Sequence, residues 1–588
     1  MTKKLLLNNK KSVIDNTYTV ITATVSDTAT DNEKILIVNN LESEKIILNG
    51  VEYTPTVATE LVEEENSEGE LVEQAITKCN IPLQVGDNEI KIEGNFNLKG
   101  NTIVFDIPQL GNKLTTADYL FSNCTGIKTL SCSNWDLSNI TSLQFMFWGC
   151  SNLKTLNVSN WNIENVTTLK GLFWNCSKLT ELNVSNWNTS KITSMDSMFS
   201  GCSTLTTLDV SGFDVSKVVN IGNFCNGCNA LTTVGNLDNW RFGDDTKILS
   251  NMFLGCQALT SIGDISNLTT TANNITLTET MFFNCRALTS IGDLSNWNMS
   301  KVTSAGGMFQ NCSSLTSIGV DNWNISSNTN FRNMFGGCSK LQSLNVSNWI
   351  INNTADEINF DFMFSGCSTL TTLDVSGFDM SKASSLSCMF RDCTALTDIG
   401  DISNWNTTNI LINTSYLFNN CHNLTSILGI DNLCMDNVTD ASFMFSGCKT
   451  LSSLSLNNWN VNSVTTFNSM FAFCENLTTL NINQWSLGSG CVNLGSFCDG
   501  CTSLSTLDIS NFSTPNVTNI SMMFRNCTSL SSLDIRNLDT SSVTNCSIML
   551  NNVPVDATVI IDPSKFNKTE GECGWSVGST TSGVFTTI

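Results

Sequence analysis

Cysteine supplies most of the residues that could do chemistry. Sixteen of the 25 cysteines fall on one ladder, running from Cys124, Cys150, Cys176, Cys202 and Cys228 to Cys474, Cys501 and Cys527 in steps of 26 to 29 residues. In-register thiols on neighbouring rungs of a stack stand about 5 Å apart, close enough to bridge. One thiol per step along the whole ladder is too regular for a particular disulfide or metal site. A buried free thiol packs as a small apolar side chain, so the ladder reads as core, a use that suits a reducing compartment. Cys225/Cys228 and Cys498/Cys501 have CxxC spacing. Redox or zinc use needs a second pair or a helix N-terminus beside them. In each pair the second cysteine is a ladder residue and the first replaces the Met of a Met-Phe pair, so both read as products of the repeat. The single histidine, His422, follows ladder Cys421 in ordinary repeat context; Ser-His-Asp or Cys-His catalysis would have to use it and is not expected. Glycan cleavage needs paired carboxylates. Asp209, Asp374, Asp508 and Asp534 share one repeat position, but only the last two lie on adjacent units. No catalytic residue, cofactor or metal is expected.

The elements that hold these residues are copies of one unit. Met-Phe pairs such as Met146-Phe147, Met334-Phe335 and Met444-Phe445 precede the ladder cysteines, and apolar residues follow three, six and eight positions on, as in Leu153, Leu156 and Val158. Eleven or twelve positions past the cysteine stands Trp in ten units, Phe213, Phe378 or Phe512 in three, and Leu268, Leu433 or Leu538 in the rest. Leu156-x-Val158 alternates with period two, which predicts one short strand with those side chains inward and Thr155, Asn157 and Ser159 outward. Ser-Asn-Trp-Asn then turns the chain. Val166-x-x-Leu169-x-x-Leu172-Phe173 has apolar spacing of three, which suits a 3₁₀ or short α turn on the return. Such a coil cannot bury its apolar face alone; stacking buries it. Gly235, Gly263, Gly292, Gly400 and, shifted by one, Gly429 mark units with one extra residue at the strand, the pattern of a β-bulge.

The form Met444-Phe445-Ser446-Gly447-Cys448-x-x-Leu451-x-x-Leu454-x-Leu456-Asn457-Asn458-Trp459-Asn460 resembles the bacterial surface-protein 26-residue repeat, a BspA-like leucine-rich-repeat family. The resemblance covers residues 117 to about 553. It implies a leucine-rich-repeat-type solenoid of about 16 coils, each a short parallel β-strand plus a 3₁₀ or short helical return. It also implies a role in surface adhesion, since proteins of that family are typically secreted bacterial adhesins; similar arrays occur in mucosal protists and in phage.

The sequence predicts three regions: a β-sandwich-like docking domain at 1–110, the solenoid at 117–553, and a C-terminal cap at 554–588. In the first, Tyr18–Val25, Lys34–Val38, Glu89–Ile92 and Asn101–Phe105 read as strands and Glu44–Tyr53 as a hairpin through Asn49-Gly50. The acidic stretch Glu60–Glu73 reads as a solvated loop or helix. In the cap, Ala557–Pro563 reads as a strand, and Cys573-Gly574-Trp575 is expected to pack over the last coil. Over 588 residues the net charge is −23, which argues against nucleic acid and anionic membrane surfaces. The apolar run after the first lysines ends at Leu7, too short for a secretory signal, and no stretch reaches the 18 apolar residues of a membrane span.

The outward strand residues form the candidate binding face, represented by Thr155, Asn157, Thr207, Asp209, Ser343, Asn345, Thr372, Asp374, Thr479, Asn481, Thr506 and Asp508. A long hydroxyl- and amide-rich surface suits a host cell-surface protein or glycan. The expected function is non-enzymatic attachment. The leading setting is a phage virion fibre or appendage whose residues 1–110 bind other virion proteins. The alternatives are a bacterial surface or secreted adhesin and an intracellular scaffold. A homo-oligomer is compatible with this, although no coiled-coil heptads favour a trimer.

Overall fold

A computed structural model describes residues 114–573 apart from 131, 270–273, 352–354, 406 and 408–409; outside that range it describes strands by their backbone. The chain divides into two compact units, Met1–Val218 with Gly227–Leu231, and Val219–Asn226 with Thr232–Ile588.

Both units are built of coils that follow the period-two reading. In the first, Thr129–Leu130 pairs in parallel with Thr155–Leu156, and the pairing continues as Thr155 to Glu181 to Thr207. In the second, Ser453–Ser455 pairs with Thr479–Asn481, and Thr506–Asp508 with Ser532–Asp534. Leucine stands opposite leucine at each of these rungs, so every inward side chain lands on its own kind. Leu156, Val158 and their counterparts are buried.

The aromatic residues stack the same way. Phe121, Phe147, Phe173 and Phe199 stand 5.1, 5.7 and 5.8 Å apart, with ring planes within 12°. In the second unit the series Phe253, Phe282, Phe309, Phe335, Phe364 keeps spacings of 5.6 to 5.8 Å. These are offset-stacked geometries. The tryptophans form a second column, and burial obliges their N–H to find a partner. Trp187 Nε1 donates to the Val158 carbonyl at 3.1 Å, Trp349 to Val320 at 2.8 Å and Trp485 to Leu456 at 2.8 Å, each on the preceding coil.

The return stretch shows the apolar spacing of three as a run of overlapping turns. Met146, Trp148 and Cys150 donate their N–H to the carbonyls three residues back. Phe145 and Gly149 take left-handed φ angles of 54° and 73°, which stops the turns from merging into a helix. Alternate N–H groups are thereby aimed at the next coil: Phe145 to Lys170 at 2.7 Å, Phe147 to Leu172 at 2.9 Å, Gly149 to Trp174 at 2.7 Å. Every backbone donor of the stretch from Leu143 to Cys150 is thus used. A second parallel ladder results, running in the second unit from Asn220 through Ile248, Leu277, Ser304, Asn330 and Asn359, and again from Ser385 to Asn545. Regular helix among the described residues is confined to 3₁₀ turns at Ile402–Asn404 and Ile430–Asn432 and one α turn at Glu570–Cys573.

The five glycines at the lengthened strands all take φ between 80° and 85°. At Gly429 a Cβ would also overlap the main-chain nitrogen of Ser403, and a backbone atom cannot rotate away. Gly429→Ala should therefore cost about 1–3 kcal/mol, read as a lowered denaturant midpoint with an unchanged slope.

The N-terminal strands form two sheets. One has the order Val51–Tyr53, Ile46–Leu48, Gly86–Ile92, Thr19–Val25, Val104–Gln109; the other Val57–Glu65, Leu71–Pro82, Ile35–Asn39, Asn97–Lys99. The acidic stretch expected as loop or helix is instead an antiparallel pair, Val57–Glu65 with Leu71–Pro82. Val57, Thr59, Leu61 and Val62 on one side and Leu71, Val72, Ile76 and Thr77 on the other supply strand-forming residues, and they outweigh the charge run between them.

At the C-terminus, Thr558–Ile561 pairs in parallel with Ser532–Asp534, and Val584–Thr587 pairs with Thr558–Ile561. The strand ladder thus continues past residue 553. Cys573 forms a disulfide with Cys546; Gly574 and Trp575 lie outside the described residues. No helix among the described residues is long and apolar enough to cross a membrane.

Candidate binding groove on the strand face

The ladder thiols are fully buried. They also share a bond that the repeat pattern does not reveal. Cys150 Sγ donates to the Phe121 carbonyl at 3.1 Å, Cys338 to Phe309 at 3.1 Å and Cys474 to Phe445 at 3.2 Å, each on the coil before. Thiol is a weak donor of apolar size, so it fills the core and shares a turn carbonyl that already accepts the N–H of its own coil's ladder cysteine, as Phe121 accepts from Cys124. Burial pushes the Cys338, Cys393 and Cys448 thiols up to about 12, away from any nucleophilic use. Cys225 and Cys498 occupy the Phe place of the Met-Phe pair rather than the Met place. Their carbonyls accept from Cys256 and Cys527 as the Phe carbonyls do elsewhere. Cys421, beside His422, aims its Sγ at the Phe390 carbonyl in the core. The described residues contain no group of three or more His, Cys, Asp or Glu able to hold a metal ion.

All twelve residues of the candidate face are exposed. Several have a local duty as well. The Oδ1 atoms of Asn157, Asp209, Asn345, Asp374 and Asp508 accept the N–H of the residue two further on, Ser159, Ser211, Ser347, Ser376 and Ser510, at 2.9 to 3.2 Å. Each such side chain caps the turn that leaves the strand. The Asn/Asp-x-Ser spacing carried that signal in the sequence. Asp508 and Asp534 stand opposite each other in register. Burial raises the Asp534 carboxyl, but hydrogen bonds from Arg536 outweigh it and hold it below the usual range. Glycan cleavage needs one acid kept protonated, and this carboxyl is held ionised.

The structure brings four of the twelve together. Ser343, Asn345, Thr372 and Asp374 line a groove of about 690 Å³ across four consecutive rungs of the second unit, with Ser317, Gly319, Asp321, Asp398 and Gly400. The buried side chains of Ile318, Leu344 and Leu373 form its floor. Hydroxyl, amide and carboxylate groups over an apolar floor can hold a polar ligand in a fixed orientation. Gly400 keeps the groove open, because a Cβ there would overlap the Asp374 carboxylate. Asp398 was missed as a site residue; it replaces the hydroxyl of the Ser/Thr ladder on the rung paired with Thr372. The other eight stand two to a rung outside the groove: Thr155 with Asn157 and Thr207 with Asp209 in the first unit, Thr479 with Asn481 and Thr506 with Asp508 on consecutive coils of the second.

Coils of one short parallel strand and a turn-built return, stacked in register behind an exposed polar strand face, define a solenoid repeat protein of the leucine-rich type. The family model described as "Mycoplasma protein of unknown function, DUF285" matches residues 115–240, 231–349, 316–429, 412–506 and 473–560, and the chain belongs to that family. Among curated proteins none matches. Solved structures similar to the chain include a crystal structure of a TLR13–ssRNA13 complex, 15% identical, with 76% of this chain and 82% of that chain covered and a TM-score of 0.15; at that score the likeness carries no argument.

Proposed function

We propose that the chain is a non-enzymatic binding protein that engages its ligand through the strand-face groove at Ser317–Gly319, Ser343–Asn345, Thr372–Asp374 and Asp398–Gly400. The observation that carries this is the lining itself: exposed hydroxyls, amides and carboxylates gathered over an apolar floor on rigid, register-locked rungs. The thiols and histidine are not arranged for reaction, so positioning is what the groove offers. Its partner is a surface protein or glycan outside the chain. The family's description as a Mycoplasma protein favours a bacterial setting over a phage fibre, and the likeness of the repeat to BspA-like units supports reading it there as a surface or secreted adhesin. In either setting residues 1–110 tie the array to its carrier.

Ser343 and Thr372 are exposed on neighbouring rungs, so a Ser343→Arg/Thr372→Arg variant should keep its fold and fill the groove. Capture of a partner from cell-surface fractions by the full chain should fall at least tenfold in that variant, with an unchanged melting curve. Undiminished capture sinks the assignment of this groove. Protease shaving of intact cells and electron microscopy of purified virions separate the two settings.

A further inference from the structure

The left-handed turn position five residues before each ladder cysteine holds Gly, Asn or Ser in eight coils, and Tyr119, Phe145, Thr280, Phe362, Cys388, Tyr416, Phe443 or Met522 in the other eight. Bulky side chains there are true outliers, and such outliers concentrate where function demands them. Gly171, Ser197 and Asn223 hold φ of 59°, 56° and 54°, as the backbone requires, but the first two coils put Tyr119 and Phe145 there, at 56° and 54°. Two of the tryptophans, Trp148 and Trp174, also stand outside the core column, one coil apart on the same turn face. All four rings are half-exposed. Phe145 lies 5.1 Å from Tyr119, 5.8 Å from Trp148 and 6.0 Å from Trp174, and the two indoles stack at 5.4 Å. The patch is built: a Cβ on Gly171 would overlap the Phe145 ring, so glycine on the next coil gives that ring its seat. The device recurs in the second unit, where Tyr416 and Phe443 occupy the same turn position and stack at 4.5 Å.

We propose that the ring cluster of Tyr119, Phe145, Trp148 and Trp174 is a carbohydrate-binding platform for a neutral glycan. The proposal stands apart from the strand-face groove and does not rest on it. Four half-exposed rings offer about 400 Å² at most, well short of the ~800 Å² per partner that a stable protein interface buries. A few sugar rings need no more, and their C–H faces match flat aromatic surface. The rim is polar: Gln144 is next to Phe145 in the chain, Asp118 accepts from Ser142 and from the Gln144 N–H, and Asp196 accepts from Ser197. The rim also selects charge. Lys170, 5.6 Å above the Phe145 ring, is paired with Asp196 at 3.5 Å. Cation and carboxylate balance each other, so the pair offers no net positive charge to draw acidic sugars.

The test uses the full chain. A printed array of neutral and acidic oligosaccharides comes first, then titration of tryptophan fluorescence with the best neutral binder. Wild type should bind neutral glycans, with affinity insensitive to salt. Trp148→Ala/Trp174→Ala should weaken binding at least tenfold while leaving the melting curve in place. Phe145→Ser puts at this turn the residue that Ser197, Ser469 and Ser496 supply on other coils, so the backbone is kept while binding should weaken several-fold. Ser343→Arg/Thr372→Arg should bind these glycans as wild type does, which separates this site from the groove. No neutral glycan bound, or binding untouched in the double tryptophan variant, overturns the proposal. So does self-association that the double tryptophan variant abolishes, which would make the patch a contact between copies.

Discussion

Stability should fall steeply as the pH rises above about 9, well before ordinary alkaline damage. Burial holds the ladder thiols Cys338, Cys393 and Cys448 neutral, raised to about 12, whereas a thiol in the unfolded chain ionises near its ordinary value of roughly 8.5. A group whose folded value is raised contributes its full stability below the unfolded value. That contribution is lost as the pH climbs toward the folded value, because only the unfolded chain releases the proton. Each such thiol costs about 1.4 kcal/mol per pH unit in that window. These three alone cost about 4 kcal/mol per unit, against a total of about 5–15 kcal/mol for a typical domain. Cys150, Cys176, Cys285 and Cys367 are raised by the same burial and steepen the loss. Denaturant unfolding at pH 7 through 10 checks it. Replacing Cys338, Cys393 and Cys448 with alanine should lower stability at pH 7 yet make the alkaline slope shallower by about 4 kcal/mol per unit. An unchanged slope would show that these thiols are not the titrating groups.

Phe335→Ala should be the most damaging truncation in the middle of the second unit, at about 3–5 kcal/mol. The ring is fully buried and stacks on Phe309 at 5.6 Å and Phe364 at 5.8 Å, with Trp349 at 6.2 Å. Its loss opens a cavity with aromatic walls on two sides, and the register of both ladders keeps the neighbouring coils from closing in. In a repeat array the damage concentrates at nearest-neighbour interfaces. Hydrogen exchange should therefore accelerate first at the amides of Phe309, Phe335 and Phe364 and their adjoining turns. Uniform acceleration over the whole second unit would instead show that its coils open only together.

The coil was legible in the sequence because its signals are periodic. Leu156 and Val158 declare a strand, Trp187 and Trp349 recur at one distance from their cysteines, and Gly235 or Gly292 announces a positive φ. What stayed hidden depends on which coil lies next door. The thiol of Cys150 reads as core from spacing alone; that it donates to Phe121 follows only once the coils are stacked. The return stretch shows the same spacing of three whether its turns merge into helix or are interrupted, and the left-handed angle at Phe145 decides between them. Asp398 looks like any exposed aspartate until Thr372 is placed beside it. The Cys546–Cys573 link joins one off-ladder cysteine to another, so no periodicity announces it. Trp148 and Trp174 fall outside the periodic positions, which is why the pattern that finds the core passes over them.

The repeated bond from each ladder thiol to the preceding coil makes the joints between successive coils interchangeable. Cys176 meets Phe147 as Cys202 meets Phe173, both at 3.2 Å. A gene encoding such an array can lose or duplicate one whole period by unequal recombination, and the product still closes every joint with the same partners. Copy number is then a trait on which selection acts without having to reinvent the fold, while the irregular surface residues on each copy are free to diverge.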